Sequence, residues 1–195
     1  MFSHLVVPIA SSPDTALAVH PAAAMARAFE ATVVVLAHAS VDVDLDQVLA
    51  DVGSADVAAV SVTAERSLTA ALERLQPAFP NPLLVCTGEL APELLDDWPG
   101  ALLVFGPASS PRSYGVGGSI LVDATIDREG ATDLRPLGRA FGFDYEATTD
   151  LTAVPSAGDT RVAVPRRTNR AVIDHLIANR EGPVFVLADP AGASD

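Results

Sequence analysis

The sequence predicts an α/β fold: a doubly wound, mostly parallel five-stranded sheet with helices on both faces, all in one domain. Three observations predict it. Several short runs are apolar on both parities, as strands covered on two faces must be. These runs alternate with segments whose apolar residues recur at helical spacing. Hydrophobic residues make up 49% of the 195, yet aromatics only 5%, so Val, Leu, Ile and Ala must build the core.

Residues 4–9, His-Leu-Val-Val-Pro-Ile, read as a buried first strand that Pro8 helps to end. Ser12 can cap a helix and Pro13 suits its first position. That helix runs to about Phe29, and Pro21 inside it predicts a kink or an early break. Residues 32–38 are a central strand. Residues 41–58, with Asp42, Asp44, Asp46, Asp51 and Asp56, read as an acidic surface excursion. Leu68, Leu72, Leu75 and Phe79 then mark a helix within 62–79, ended by Pro77 and Pro80. Residues 82–87 form the third strand, 91–98 a short helix and 101–105 the fourth strand. Right-handed crossovers between such elements give the doubly wound order.

Beyond Gly106 the character changes. Residues 106–118 are rich in Gly, Ser and Pro and read as a loop. A strand is predicted at 120–126, a helix at 134–143, a short strand at 161–164, a helix at 168–180 capped by Asn169 or Thr168, and a last strand at 184–187. The tail from 189 to 195 is expected to be disordered. No internal repeat is visible.

The formal net charge is −13 with an isoelectric point near 4.5, and all 12 basic residues are Arg. Such a surface repels nucleic acid and anionic membranes. One cysteine, Cys86, excludes an internal disulfide and reads as a buried thiol. No apolar stretch is long enough to span a membrane and no signal-peptide pattern opens the chain, so a cytoplasmic location is expected. His4, His20, His38 and His175 have no metal-ligand spacing, and no metal site is predicted. Asp123 and Asp127 follow a strand, an ordinary place for acids. Arg166, Arg167 and Arg170 form a basic cluster that either pairs with the acidic surface or holds a phosphate. Phosphate-loop and nucleophile-elbow motifs are missing, so no enzymatic activity is predicted.

Three stretches resemble the universal stress protein family. Residues 5–13, Leu-Val-Val-Pro-Ile-Ala-Ser-Ser-Pro, are similar to its opening strand and turn. Residues 87–95 followed by 101–106 are similar to its third strand, Gly-acid turn, third helix and fourth strand. Residues 168–187 are similar to its last helix and strand. The stretch 120–164 has no counterpart in the short form of the family and reads as an insertion.

That resemblance implies a module for stress response or energy-state signalling. It binds ATP or AMP, with Mg²⁺ only as the nucleotide's companion, at the loops after strands one and four. In nucleotide-binding members the fourth strand ends in Gly-x₂-Gly-x₉-Gly-Ser/Thr. Here Gly106 opens the loop, Ser109 takes the second glycine position, and Gly118 and Ser119 close it after eight intervening residues. Arg112 is placed to pair with a phosphate, and backbone N–H groups at such turns favour anions. A flexible surface loop is the other reading of the same residues. After strand one the family carries an Asp; here the position is Ala10, which leaves the backbone of Pro8, Ile9 and Ala10 for adenine. His38 ends the second strand at the same sheet edge. The alternative function is a non-nucleotide-binding interaction module that dimerises along Val184–Leu187, as the family does.

Overall fold

A computed structural model of the chain describes residues 2–9, 12–38, 57–62, 68–79, 81–109, 119–125, 134–136, 138–139, 141–151, 153 and 160–188. The elements are β1 (His4–Ile9), α1 (Ser12–Phe29), β2 (Thr32–His38), β3 (Val57–Val62), α2 (Leu68–Leu75), β4 (Pro82–Thr87), α3 (Ala91–Asp97), β5 (Ala101–Phe105), β6 (Ser119–Asp123), β7 (Asp144–Thr148), β8 (Arg161–Pro165), α4 (Arg170–Asn179) and β9 (Val184–Leu187). The fold is α/β, as expected, but among the described residues the sheet has nine strands and not five. Their order is β3-β2-β1-β4-β5-β9-β8-β6-β7.

Two differences from expectation decide the topology. Val57–Val62 pairs in parallel with β2, where the sequence suggested an excursion giving way to a helix. Its two alanines and one serine dilute the β signal, and aspartates precede it. Pro82–Thr87 is therefore the fourth strand and Ala101–Phe105 the fifth. The stretch 120–164, read as an insertion, supplies β6, β7 and most of β8 to the same sheet. β9 lies between β5 and β8, so it offers no free edge to a twin.

Every neighbouring pair is parallel except β5 and β9, which run antiparallel with Leu102 opposite Val186, Leu103 opposite Phe185 and Val104 opposite Val184. This seam joins two halves built alike. In the first, β1 pairs with β2 and β4, and β4 with β5. In the second, β6 pairs with β7 and β8, and β8 with β9. The turns repeat as well. The N–H of Gly88 donates to the Phe105 carbonyl at 2.7 Å, and the N–H of Arg166 donates to that of Leu187 at 2.9 Å. The Leu90 N–H donates to Thr87 at 3.1 Å, and the Thr168 N–H to Pro165 at 3.0 Å. Among the described residues, the second half has no counterpart of β3 and α2.

Strand residues alternate between two cores. Leu5, Val7, Val33, Val85, Leu103 and Phe185 face α1 together with Leu134 and Phe143. Val6, Val34, Leu84, Leu102, Val162 and Val186 face α2, α3 and α4. α1 runs through Pro21 without the expected break. Proline there removes one helical hydrogen bond, but Ala22, Ala23, Met25, Ala26 and Phe29 are all buried against the sheet, and that packing holds the helix together. No described helix is long and apolar enough to cross a membrane.

Candidate functional site

Open α/β sheets bind ligands beyond the carboxyl ends of their strands, where neighbouring connections leave in opposite directions. In the first half this happens between β1 and β4, which lie side by side. β1 delivers Pro8 and Ile9 to this edge, and β4 delivers Thr87. The β4 turn is Thr87-Gly88-Glu89-Leu90, and the β5 turn, Gly106 to Ser109, is closed by the Ser109 N–H donating to Gly106 at 3.0 Å. The two turns touch: a Cβ on Gly88 would lie 3.4 Å from Pro107 Cδ and 3.5 Å from Gly106 Cα.

Each turn holds a buried hydroxyl without a partner. Thr87 is 6% exposed, and neither its Oγ1 nor Ser109 Oγ has a hydrogen-bond partner. Such orphans are uncommon and call for an explanation. Glu93, in the first turn of α3, also has a buried carboxylate oxygen without one. Glu89 and Glu93 make this corner acidic, which works against phosphate.

Gly106 has a packing reason to be glycine, apart from the one its motif suggests. A Cβ there would lie 1.8 Å from the carbonyl oxygen of Ile177 in α4. The glycine is needed because β5 passes against the backbone of a helix from the other half. Of the remaining expected residues, Ser119 opens β6 rather than a helix. β6 is five strands from β1 in the sheet, about 24 Å at the usual spacing. Pro8 and Ile9 therefore share an edge with Gly106 and Ser109, with β4 between them, but not a site with Ser119. The backbone of His38 ends β2. Ala10, Arg112 and Gly118 lie outside the described residues, as does the tail 189–195.

The second half has the equivalent edge on the opposite side of the sheet. Here Asp123 Oδ1 accepts from the Thr125 N–H at 2.8 Å and from its hydroxyl at 2.7 Å. Arg167, at the position Glu89 has in the first half, donates to the Thr125 carbonyl at 2.8 Å. Arg166 donates to the carbonyls of Leu94 and Leu95, each at 3.2 Å, and to that of Trp98. Arg170 pairs with Asp96 and, at 2.8 Å, with Asp174. The basic cluster thus bonds to carbonyls and carboxylates of the fold and fastens α4 to α3. That use was open to sequence reasoning, because α3 ends in Asp96 and Asp97. The Thr87 hydroxyl was missed, having been read as part of a third strand. Among the described residues, no group of His, Cys, Asp and Glu could hold a metal ion.

No family model matches the chain, and no curated protein does. Among solved structures, the chain is similar to the cytoplasmic domain of a prokaryotic cation chloride cotransporter. The likeness has a TM-score of 0.56 at 11% identity and covers 97% of this chain and 96% of that one. At that identity the likeness is one of fold: this chain shares, over nearly its whole length, the α/β architecture of that cytoplasmic domain.

Proposed function

We propose that the protein is a regulatory binding module of the universal-stress-protein type, with two such units fused about the β5–β9 seam, that acts without chemistry of its own. Its ligand is an adenine nucleotide, ATP or AMP, with Mg²⁺ only as the nucleotide's companion. The nucleotide sits against the turns after β1, β4 and β5. The observation that carries this reading is the pair of buried, unpartnered hydroxyls of Thr87 and Ser109 in touching turns; a ligand's hydroxyl or phosphate oxygens would satisfy them. The backbone of Pro8 and Ile9 at the end of β1, with that of His38 at the end of β2, closes the adenine side. The similar domain belongs to a transporter, and this supports a cytoplasmic, regulatory role here.

Thermal unfolding with millimolar ATP, AMP and Mg²⁺ tests it. A ligand bound to the native state alone at a hundredfold over its dissociation constant adds about 2.7 kcal/mol. Thr87→Val, nearly isosteric, is expected to keep the fold and lose the shift. A wild-type protein that no nucleotide stabilises would overturn the reading.

The second reading is an interaction module without nucleotide. The contact between Gly106 and the Ile177 carbonyl favours it, because it fixes the β5 turn by packing alone. In this reading any homodimer uses a surface other than β9.

A further inference from the structure

The two halves end differently. β6 matches β1 in its pairing, so β7 matches β2. β2 is covered on its outer side by β3. β7 ends the sheet, and among the described residues nothing pairs beyond it. Chain length explains the difference. Residues 39–81 join β2 to β4, while only 149–160 join β7 to β8. A strand laid parallel to its neighbour needs a crossover of about a dozen residues or more, and the chain would then have to return to β8. That connection is too short to supply a β3 of its own.

β7 reads Asp144-Tyr145-Glu146-Ala147-Thr148, and all but Thr148 are exposed. Side chains alternate between the faces of a strand. Asp144 and Glu146 lie on one face, beside Ser119 and Leu121 of β6. Neither has an ion pair among the described residues. Asp123 continues this acidic face on β6, with Arg167 near it at the Thr125 carbonyl, so the unbalanced charge is that of Asp144 and Glu146. Tyr145 and Ala147 lie on the other face, beside Ile120 and Val122. The Tyr145 hydroxyl donates to the Leu134 carbonyl and accepts from the Gly138 N–H at 3.1 Å. These bonds fix the ring, yet the residue is still 38% exposed. The charge that acts on it is Arg135, so the acidity of this edge is confined to one face.

We infer that β7 is a docking edge for an extended segment of another protein, with Arg or Lys at alternate positions and apolar residues between them. The segment takes the place that β3 has in the first half. Its backbone completes the hydrogen bonds on the outer side of β7, its cations meet Asp144 and Glu146, and its apolar side chains pack on Tyr145 and Ala147. In such strand addition the main chain supplies affinity and the alternating side chains supply specificity. A second copy of this chain is the poorer occupant. Two β7 strands paired antiparallel about Tyr145 set each Asp144 opposite the other's Glu146, and like charges directly opposite destabilise a pair. The net charge of −13 adds repulsion at longer range. Acids on an edge keep copies apart, and the same acids attract a cationic strand. The inference does not depend on the nucleotide reading, because β7 lies in the other half of the sheet from β1, β4 and β5.

The probe is a fluorescein-labelled, amidated Arg-Val-Arg-Val-Arg-Val peptide, read by anisotropy against the whole chain at low salt. It is expected to bind, and Arg-Arg-Arg-Val-Val-Val, with the same charge but no alternation, to bind at least tenfold more weakly. A copy of the alternating peptide with every amide N-methylated keeps the charge but cannot donate to a strand, and it is expected to lose at least as much. Asp144→Arg with Glu146→Arg reverses two exposed charges. It is expected to abolish binding and to leave Tm and any nucleotide shift unchanged. An alternating peptide that fails to bind at millimolar concentration, or control peptides that bind equally well, would overturn the proposal. So would a dimer of the chain alone that the alternating peptide dissociates, since the edge would then belong to a second copy. The peptide series needs only the wild-type chain, so it decides even if the double variant fails to fold.

Discussion

Leu103 of β5 stands directly opposite Phe185 of β9 at the centre of the only antiparallel pairing among the described strands. Both are almost fully buried, at 1% and 2% exposure, and they join the cores of the two halves beneath α1. Phe185→Ala is expected to destabilise the protein by about 3–5 kcal/mol, the usual loss for an aromatic removed from a packed core. Urea unfolding should move as one transition, because the two halves share this contact. A loss below about 1 kcal/mol, or two separate transitions, would show that the seam is not the structural centre.

Gly106 supports a prediction that separates its two possible roles. A phosphate-cradling glycine changed to Ala loses ligand and keeps stability. Here the added methyl would meet the Ile177 carbonyl oxygen, a backbone atom that cannot swing aside. Gly106→Ala is therefore expected to cost at least about 1–3 kcal/mol with no ligand present. For a chain of this length each kcal/mol is worth about 2–4 °C in Tm, and calorimetry reads the difference directly. An unchanged Tm would return Gly106 to the loop reading.

Most strands that sequence reasoning located are mainly apolar. The expected 4–9, 32–38, 82–87, 101–105 and 184–187 coincide with β1, β2, β4, β5 and β9, and the expected 120–126 and 161–164 overlap β6 and β8. Such runs must be covered on both faces, and this requirement is written in residue type alone. β3 escaped because Val57-Ala58-Ala59-Val60-Ser61-Val62 has small residues at three of its six positions and follows an aspartate-rich stretch, so it lacks the run of large apolar side chains that marks β4 and β5. That one omission renumbered the strands: the turn at Gly106, expected after a fourth strand, follows β5, and the turn after β4 is the one at Gly88. The likeness of the two halves was hidden for another reason. Gly88-Glu89 and Arg166-Arg167 occupy the same backbone turn, and a hydrogen bond between main-chain groups does not constrain side chains.

Arg166 gives a prediction about how the halves are fastened. Helix C-termini leave carbonyls short of helical partners, and at the end of α3 Arg166 donates to the carbonyls of Leu95 and Trp98 and to that of Leu94, which also accepts from the Trp98 N–H. Arg166→Met is expected to cost about 1.5–3 kcal/mol, the range for hydrogen bonds with a charged partner. Arg166→Lys should recover little of it, because an ammonium cannot reach three carbonyls as a planar fork does. Asp96→Asn, which weakens the Arg170 pair, is expected to cost less than about 1 kcal/mol. Those side chains are 38% and 67% exposed, and surface pairs of this kind contribute little. Equal losses from Asp96→Asn and Arg166→Met would contradict this ranking.

Cys86 allows a test of the core by titration. The thiol lies on β4 with no exposure, and burial pushes its pKa up from 9.0 to about 12. A thiol reacts as its thiolate, so the native protein should resist Ellman's reagent near pH 8, and one thiol should appear when urea unfolds the chain. The linkage has a definite sign. The native state holds this proton more tightly than the unfolded state does, so the contribution is complete below about pH 9 and is lost as pH rises toward about 12. Urea midpoints measured upward from pH 8 should fall more for the wild type than for Cys86→Val, which has no proton to lose there. Parallel pH profiles for the two proteins, or rapid labelling of the native thiol, would show that β4 is open to solvent at this point.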